Sequence, residues 1–119
     1  MKSVVAHLIY VVALPVLANA EPFIVKDGQP QAGIVIAEDA KRSTRLAARE
    51  LQETLEKISG AKTPVTPTPG DGVVLYVGES VFTRKLGVTA EGLEHGAYRI
   101  QSGEAWLALI PFLVFPCSC

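Results

Sequence analysis

Several residues of this chain belong to types that carry out chemistry, and their spacing decides whether they can. Glu38 and Asp39 are adjacent, whereas a glycosidase needs two carboxylates facing one sugar several ångström apart. Neighbouring side chains in an extended chain point to opposite faces. The pair is therefore expected to separate, with Asp39 capping a helix and Glu38 in solvent. Glu91, Glu94 and His95 read E-x-x-E-H, the right ligand types for a metal but with no second histidine nearby to complete a site. A solvated loop is the expectation there. Ser80 lies in Gly78-Glu79-Ser80-Val81, which is not the G-x-S-x-G turn that exposes a nucleophilic serine. Gly70-Asp71-Gly72 has neither the third glycine nor the Lys-Ser/Thr of a phosphate loop. Cys117 and Cys119 are the only cysteines. A bridge between residues two apart would be strained, and C-x-C without further Cys or His is a poor metal site. These residues supply no catalytic, cofactor-binding or metal site, and no cofactor is expected.

The elements that would position any such residue begin after a leader. Lys2, the mostly apolar run 4–17 and Ala18-Asn19-Ala20 have the layout of a cleaved secretory signal. About 14 apolar residues fall short of the ~20 that span a bilayer. A secreted or periplasmic protein is expected, with no membrane association after cleavage. Removing residues 1–20 leaves 99 of 119 residues, enough for one small domain. The whole chain has eleven basic and twelve acidic side chains, and loss of Lys2 leaves ten against twelve, a formal −2. Without a basic stripe or interleaved aromatics, nucleic acid is excluded as a partner.

Residues 39–60 organise the rest. Ala48, Leu51, Leu55 and Ile58 recur at i, i+3, i+7 and i+10, one face of a helix. Arg45, Arg49, Gln52, Glu53, Glu56 and Lys57 fall on the other face. Asp39 is the expected N-cap, with Ser43 the alternative, and Gly60 the expected left-handed stop. Basic residues at 41, 42 and 45 sit where the helix dipole disfavours them. Before the helix, 23–25 and 34–36 read as a β-hairpin or two consecutive strands around Asp27-Gly28. After it, three prolines at 64, 67 and 69 confine the chain to an edge segment near Val65 and a surface loop. Val73–Val77, continuous and β-branched between glycines, predicts a central strand buried on both faces. Ser80 should cap a short helix over 81–86 ended by Gly87. Residues 89–96 form a polar loop, 97–101 alternate as a half-buried strand should, and 105–110 make a last strand. The fold expected is α+β: a small mixed sheet with one long amphipathic helix and one short helix packed on it.

Taken together, these segments resemble the N-terminal accessory domain of secreted glycoside hydrolases. That small α+β domain precedes the catalytic barrel in α-glucuronidases and family 20 β-hexosaminidases. The resemblance covers 23–110 and rests on F-I-V-K-D-G-Q-P, G-I-V-I-A-E-D-A, V-L-Y-V-G-E-S and G-A-Y-R-I in order. Its most specific pieces are A-A-R-E-L-Q-x-x-L-E-K-I-S-G-A at 47–61 and L-Y-V-G-E-S at 75–80. It implies a non-catalytic domain of a polysaccharide-degrading enzyme, whose partner is a (β/α)-barrel that this chain does not contain and whose catalytic acids map to no position here. The apolar tail 111–119, with Pro and Cys, departs from the family pattern, and a frameshifted or truncated end is the expectation it raises. The alternative is a free-standing secreted module that binds glycan, including polysaccharide, or protein without enzymatic activity. Phe23, Tyr76, Phe82, Tyr98 and Trp106, mostly in predicted strands, are expected in the core and not on a sugar-binding platform.

Overall fold

A computed structural model describes residues 23–112; the leader, Cys117 and Cys119 lie outside them. Strands β1 (Val25–Lys26) and β2 (Gln29–Pro30) pair antiparallel around Asp27 and Gly28, which have φ of 51° and 74°. Two consecutive positive-φ residues make the tight hairpin turn that Asp-Gly favours. The hairpin is thus more local than the pairing of 23–25 with 34–36. Strand β3 (Ala32–Val35) joins a separate five-stranded sheet, drawn there as Val73 N–H donates to the Gln31 carbonyl at 3.0 Å.

That sheet has the order β4-β3-β5-β7-β6, where β4 is Val65–Thr66, β5 Val73–Val77, β6 Tyr98–Ser102 and β7 Trp106–Pro111. The first four strands run parallel, and β6 lies antiparallel to β7. With helices α1 (Arg42–Ser59) and α2 (Val81–Lys85), the fold is α+β with a mixed sheet. The Pro-rich stretch supplies β4, an edge strand as expected, and Pro111 belongs to β7 and faces Tyr98 across the pair.

The central strand β5 is buried on both faces, and its alternation divides the core in two. Leu75 and Val77 join Ala32, Ile34 and Ala48, with Leu51 and Leu55 of α1 packed against them. Val74 and Tyr76 join Val35, Val88, Ala108 and Ile110, with Phe82 of α2 against them. The two helices therefore cover opposite faces. This is the outcome expected when crossovers of one hand run in opposite directions, from β3 to β4 and from β5 to β7.

Helix α1 starts later than Asp39. Its N-cap is Lys41, with no side-chain cap, and neither Asp39 nor Ser43 takes that role. Residues 38–39 form a turn, and Arg45 pins it by donating from Nε to the Ala40 carbonyl (2.9 Å) and from Nη2 to the Glu38 carbonyl (2.8 Å). A guanidinium reaching back thus organises the entry, which gives one of the basic first-turn residues a use despite the dipole. At the other end Gly60 closes the helix at φ 75°, its N–H bonded to the Glu56 carbonyl at 2.7 Å.

The inward stripe of α1 is rotated from the expected one. Thr44 and Ala48 are buried and Leu51, Gln52, Leu55 and Ser59 half-buried, while Ile58 is 79% exposed. Gln52, expected outward, donates from Nε2 to the Thr63 carbonyl at 2.7 Å and ties α1 to the segment entering β4. Ser59 takes the place expected for Ile58, its hydroxyl donating to the Leu55 carbonyl at 2.6 Å.

Strand β6 also reverses its expected polarity. Tyr98 and Ile100 are 69% and 59% exposed, and Arg99 between them is half-buried. Arg99 donates to the carbonyls of Thr89 and Glu91 and so holds the 89–97 loop beneath the sheet. At the turn between β6 and β7, Gly103 passes under the Trp106 indole so closely that a Cβ there would meet Nε1 at 2.2 Å.

Candidate functional site

The strand order changes direction between β3 and β5, since the chain leaves β3 toward β4 and leaves β5 toward β7. In open sheets with parallel strands, a crevice at the carboxyl ends beside such a point is where ligands bind. A crevice of about 450 Å³ lies there, bordered by Ala37, Glu38, Asp39, Pro67, Thr68, Ser80, Val81, Phe82 and Arg84. A second hollow adjoins it around Lys41, Thr44, Gly78 and Glu79. Glu38 and Asp39 sit in a turn, both exposed and both bordering the crevice, so Glu38 lies in solvent as expected.

The polar groups on its β5 side serve the fold. Ser80 caps α2 in a reciprocal box: its Oγ accepts from Thr83 N–H at 3.3 Å, and Thr83 Oγ1 accepts from Ser80 N–H at 2.9 Å. Ser80 is buried, and its expected role as a cap is what the geometry shows. Glu79 accepts from Ala90 N–H at 3.1 Å through Oε2 and from Arg84 Nε at 3.0 Å through Oε1. The Ala90 amide, with the Arg84 guanidinium as a lesser contribution, holds the Glu79 carboxylate below the ordinary glutamate range against a smaller opposing effect of burial. Gly78, at φ 80°, leaves room for helix α1, since a Cβ there would meet Thr44 Cγ2 at 2.9 Å. L-Y-V-G-E-S is thus a joint: Leu75 and Val77 meet α1, Gly78 admits Thr44, Glu79 fastens the 89–90 loop, and Ser80 starts α2.

The other residues of chemical type are dispersed. His95 is exposed and stacks on Phe112, ring centres 5.4 Å apart. Glu91 and Glu94 are exposed, and Glu91 serves the fold through its backbone carbonyl. Among the described residues, no group of three or more His, Cys, Asp or Glu is placed to hold a metal ion. Gly72 has a packing reason, as a Cβ there would strike the Gln31 carbonyl oxygen at 2.2 Å.

A second surface escaped the sequence reading. On the α1 side of the sheet an apolar trough of about 260 Å³ runs between the helix and β6, lined by Ala47, Leu51, Val77, Tyr98, Ile100, Leu109 and Pro111. The register places Tyr98 opposite Pro111 and Ile100 opposite Leu109, on the face that Leu107 shares with the α1 core. Tyr98, expected in the core, stands on the trough wall. Among the described residues, no helix is long and apolar enough to cross a membrane. Compared with protein-family models, curated proteins and solved structures, the chain has no match.

Proposed function

We propose that the chain is the non-catalytic N-terminal accessory domain of a secreted carbohydrate-degrading glycoside hydrolase, a scaffold that sits beside a (β/α)-barrel. The observation that carries this reading is the use made of the two segments on which the resemblance rests. Segments 47–61 and 75–80 pack on one another: Ala48, Leu51 and Leu55 lie against Leu75 and Val77, and Thr44, one turn ahead, fills the space over Gly78. The residues that mark the resemblance are thus those that join helix to sheet, as suits a domain whose role is shape. Two experiments test it. Translating the DNA downstream in all three forward frames should reveal barrel-like sequence, and its absence from every frame would sink the proposal. The purified chain should not turn over aryl glucuronides or N-acetylglucosaminides, and measurable turnover would count against the reading.

One observation favours the alternative of a free-standing glycan- or protein-binding module. Tyr98 presents an aromatic ring at the surface beside Ile100, and exposed apolar patches of this kind mark interaction sites. Pull-down on insoluble polysaccharides separates the two. Retention that is lost in Tyr98→Ala supports the binding module, and the accessory-domain reading expects little or none.

A further inference from the structure

The two edges of the five-stranded sheet are built differently. Strand β4, at one edge, is two residues long and stands between Pro64 and Pro67, the short, proline-flanked form that resists further pairing. Strand β6, at the other, runs five residues, Tyr98–Ser102, without Pro, Gly, Lys or a bulge. The phase of its ladder with β7 fixes which backbone groups face out. Phe112 N–H donates to the Ala97 carbonyl and Gly103 N–H to the Trp106 carbonyl, each at 2.9 Å. Bonded positions alternate along an antiparallel ladder, so Arg99 and Gln101 bond to β7 while Tyr98, Ile100 and Ser102 turn N–H and C=O outward. Among the described residues, none bonds to those outward groups. The side chains of Tyr98, Ile100 and Ser102 are all exposed, and alternation sets them on the face of the apolar trough.

We infer that β6 is a dimerisation edge, pairing antiparallel with β6 of a second copy about a two-fold axis at Ile100. In that register Ile100 faces its own counterpart and Tyr98 faces Ser102 of the other copy, each facing pair exchanging both N–H···O bonds. Arg99, held to the carbonyls of Thr89 and Glu91, then lies opposite Gln101, so no like charges meet. Moving the axis to Arg99 sets two guanidinium side chains face to face, which is destabilising. Moving it to Gln101 leaves Tyr98 opposite the turn beyond Ser102. A second copy is thus the occupant whose outward groups match these in full. The axis stands perpendicular to the sheet, so both troughs open on one face of a continuous sheet, with Tyr98 and Ile100 of each copy along the seam. The inference does not rest on the accessory-domain reading.

Sedimentation of the full chain should show a monomer–dimer equilibrium that shifts with protein concentration. Amide hydrogen exchange should slow at Tyr98, Ile100 and Ser102 as concentration rises, while Arg99 and Gln101 stay protected throughout. In a mixture of isotope-labelled and unlabelled chains, an intermolecular NOE should link the α-protons of Arg99 and Gln101, which face one another at the unbonded positions. Gln101→Arg sets like charges opposite each other on both sides of the axis and should weaken the dimer roughly tenfold, whereas Gln101→Glu should tighten it at low salt. Gln101 is exposed, so neither change should alter the melting of the dilute chain. A monomer at every concentration up to about 1 mM overturns the inference. So does protection of the outward amides in a chain that sediments as a monomer, which would mean that the same chain covers the edge. A dimer of unchanged strength in both Gln101 variants puts the contact on another surface and overturns it as well.

Discussion

On the α1 side of the sheet, β4, β3 and β5 lie beneath the helix, Leu107 of β7 still packs against the same core, and β6 extends past it. Strands are spaced about 4.8 Å apart and a helix with its side chains is about 10 Å across, so one helix cannot shelter all five strands. Ile34 on β3 is fully buried, and Ile100 on β6, on the same face, is 59% exposed. Both isoleucines stand in strands and look alike to any periodicity measure. What separates them is lateral distance from α1, which depends on strand order. Helix α1 shows the same division in miniature, since Leu55 packs on the core and Ile58, three residues on, is exposed.

The sharpest way to break this comparison is at its covered end. Ile34→Ala should cost about 2–5 kcal/mol by creating a cavity that the surrounding strands cannot close, read as a lowered urea midpoint. A cost below about 1 kcal/mol would mean that α1 does not seal this half. Leu55→Asp comes next: a charge placed at the helix–sheet contact should destabilise by roughly 2–4 kcal/mol. Gly78→Ala should cost about 1–3 kcal/mol, because it combines a positive φ with the approach of Thr44 Cγ2. Thr44→Ser removes that methyl, so the double variant should lose less than the sum of the two single changes. Additive losses would show that the helix does not press on the turn.

A smaller effect appears as a pH dependence. The Glu79 carboxylate is held below its ordinary value of 4.5, first by the Ala90 amide and then by Arg84. A folded-state value below the unfolded one means that the stabilisation is fully present above about 4.5 and is lost as pH falls through the folded value. Glu79→Gln should therefore flatten the acid side of a plot of stability against pH, with little change near neutrality in the slope. Smallest of all is Ile58→Asp, expected to stay within about 0.5 kcal/mol. A large loss there would move the boundary of the covered half outward.

The elements themselves were legible because each has local chemistry behind it. The amphipathic period gives α1, the β-branched run between glycines gives β5, Ser80 gives the start of α2, and Gly60 gives the end of α1. What could not be read were the decisions made at a distance. Asp39 has the right side chain for a cap, but Arg45 folds back over the same turn and the helix starts at Arg42. Gln52 turns inward because a carbonyl near β4 lies within reach. Tyr98 and Ile100 stay exposed because β6 was placed at the far edge. The crevice between β3 and β5 arises from strand order, which no local pattern around Glu38 and Asp39 encodes. Each departure depends on a partner remote in sequence or on position within the sheet.

The close passage of Gly103 beneath Trp106 has a practical consequence. Trp106 is the only tryptophan in the chain, and its indole lies over the turn that joins the last two strands. The emission of a single fluorophore is therefore a local clock for the closing of that hairpin, obtained without labelling. Circular dichroism at helix wavelengths follows α1, the element on the other side of the molecule's history. Comparing the two signals after rapid dilution from denaturant would order the assembly of the covered and uncovered halves in time.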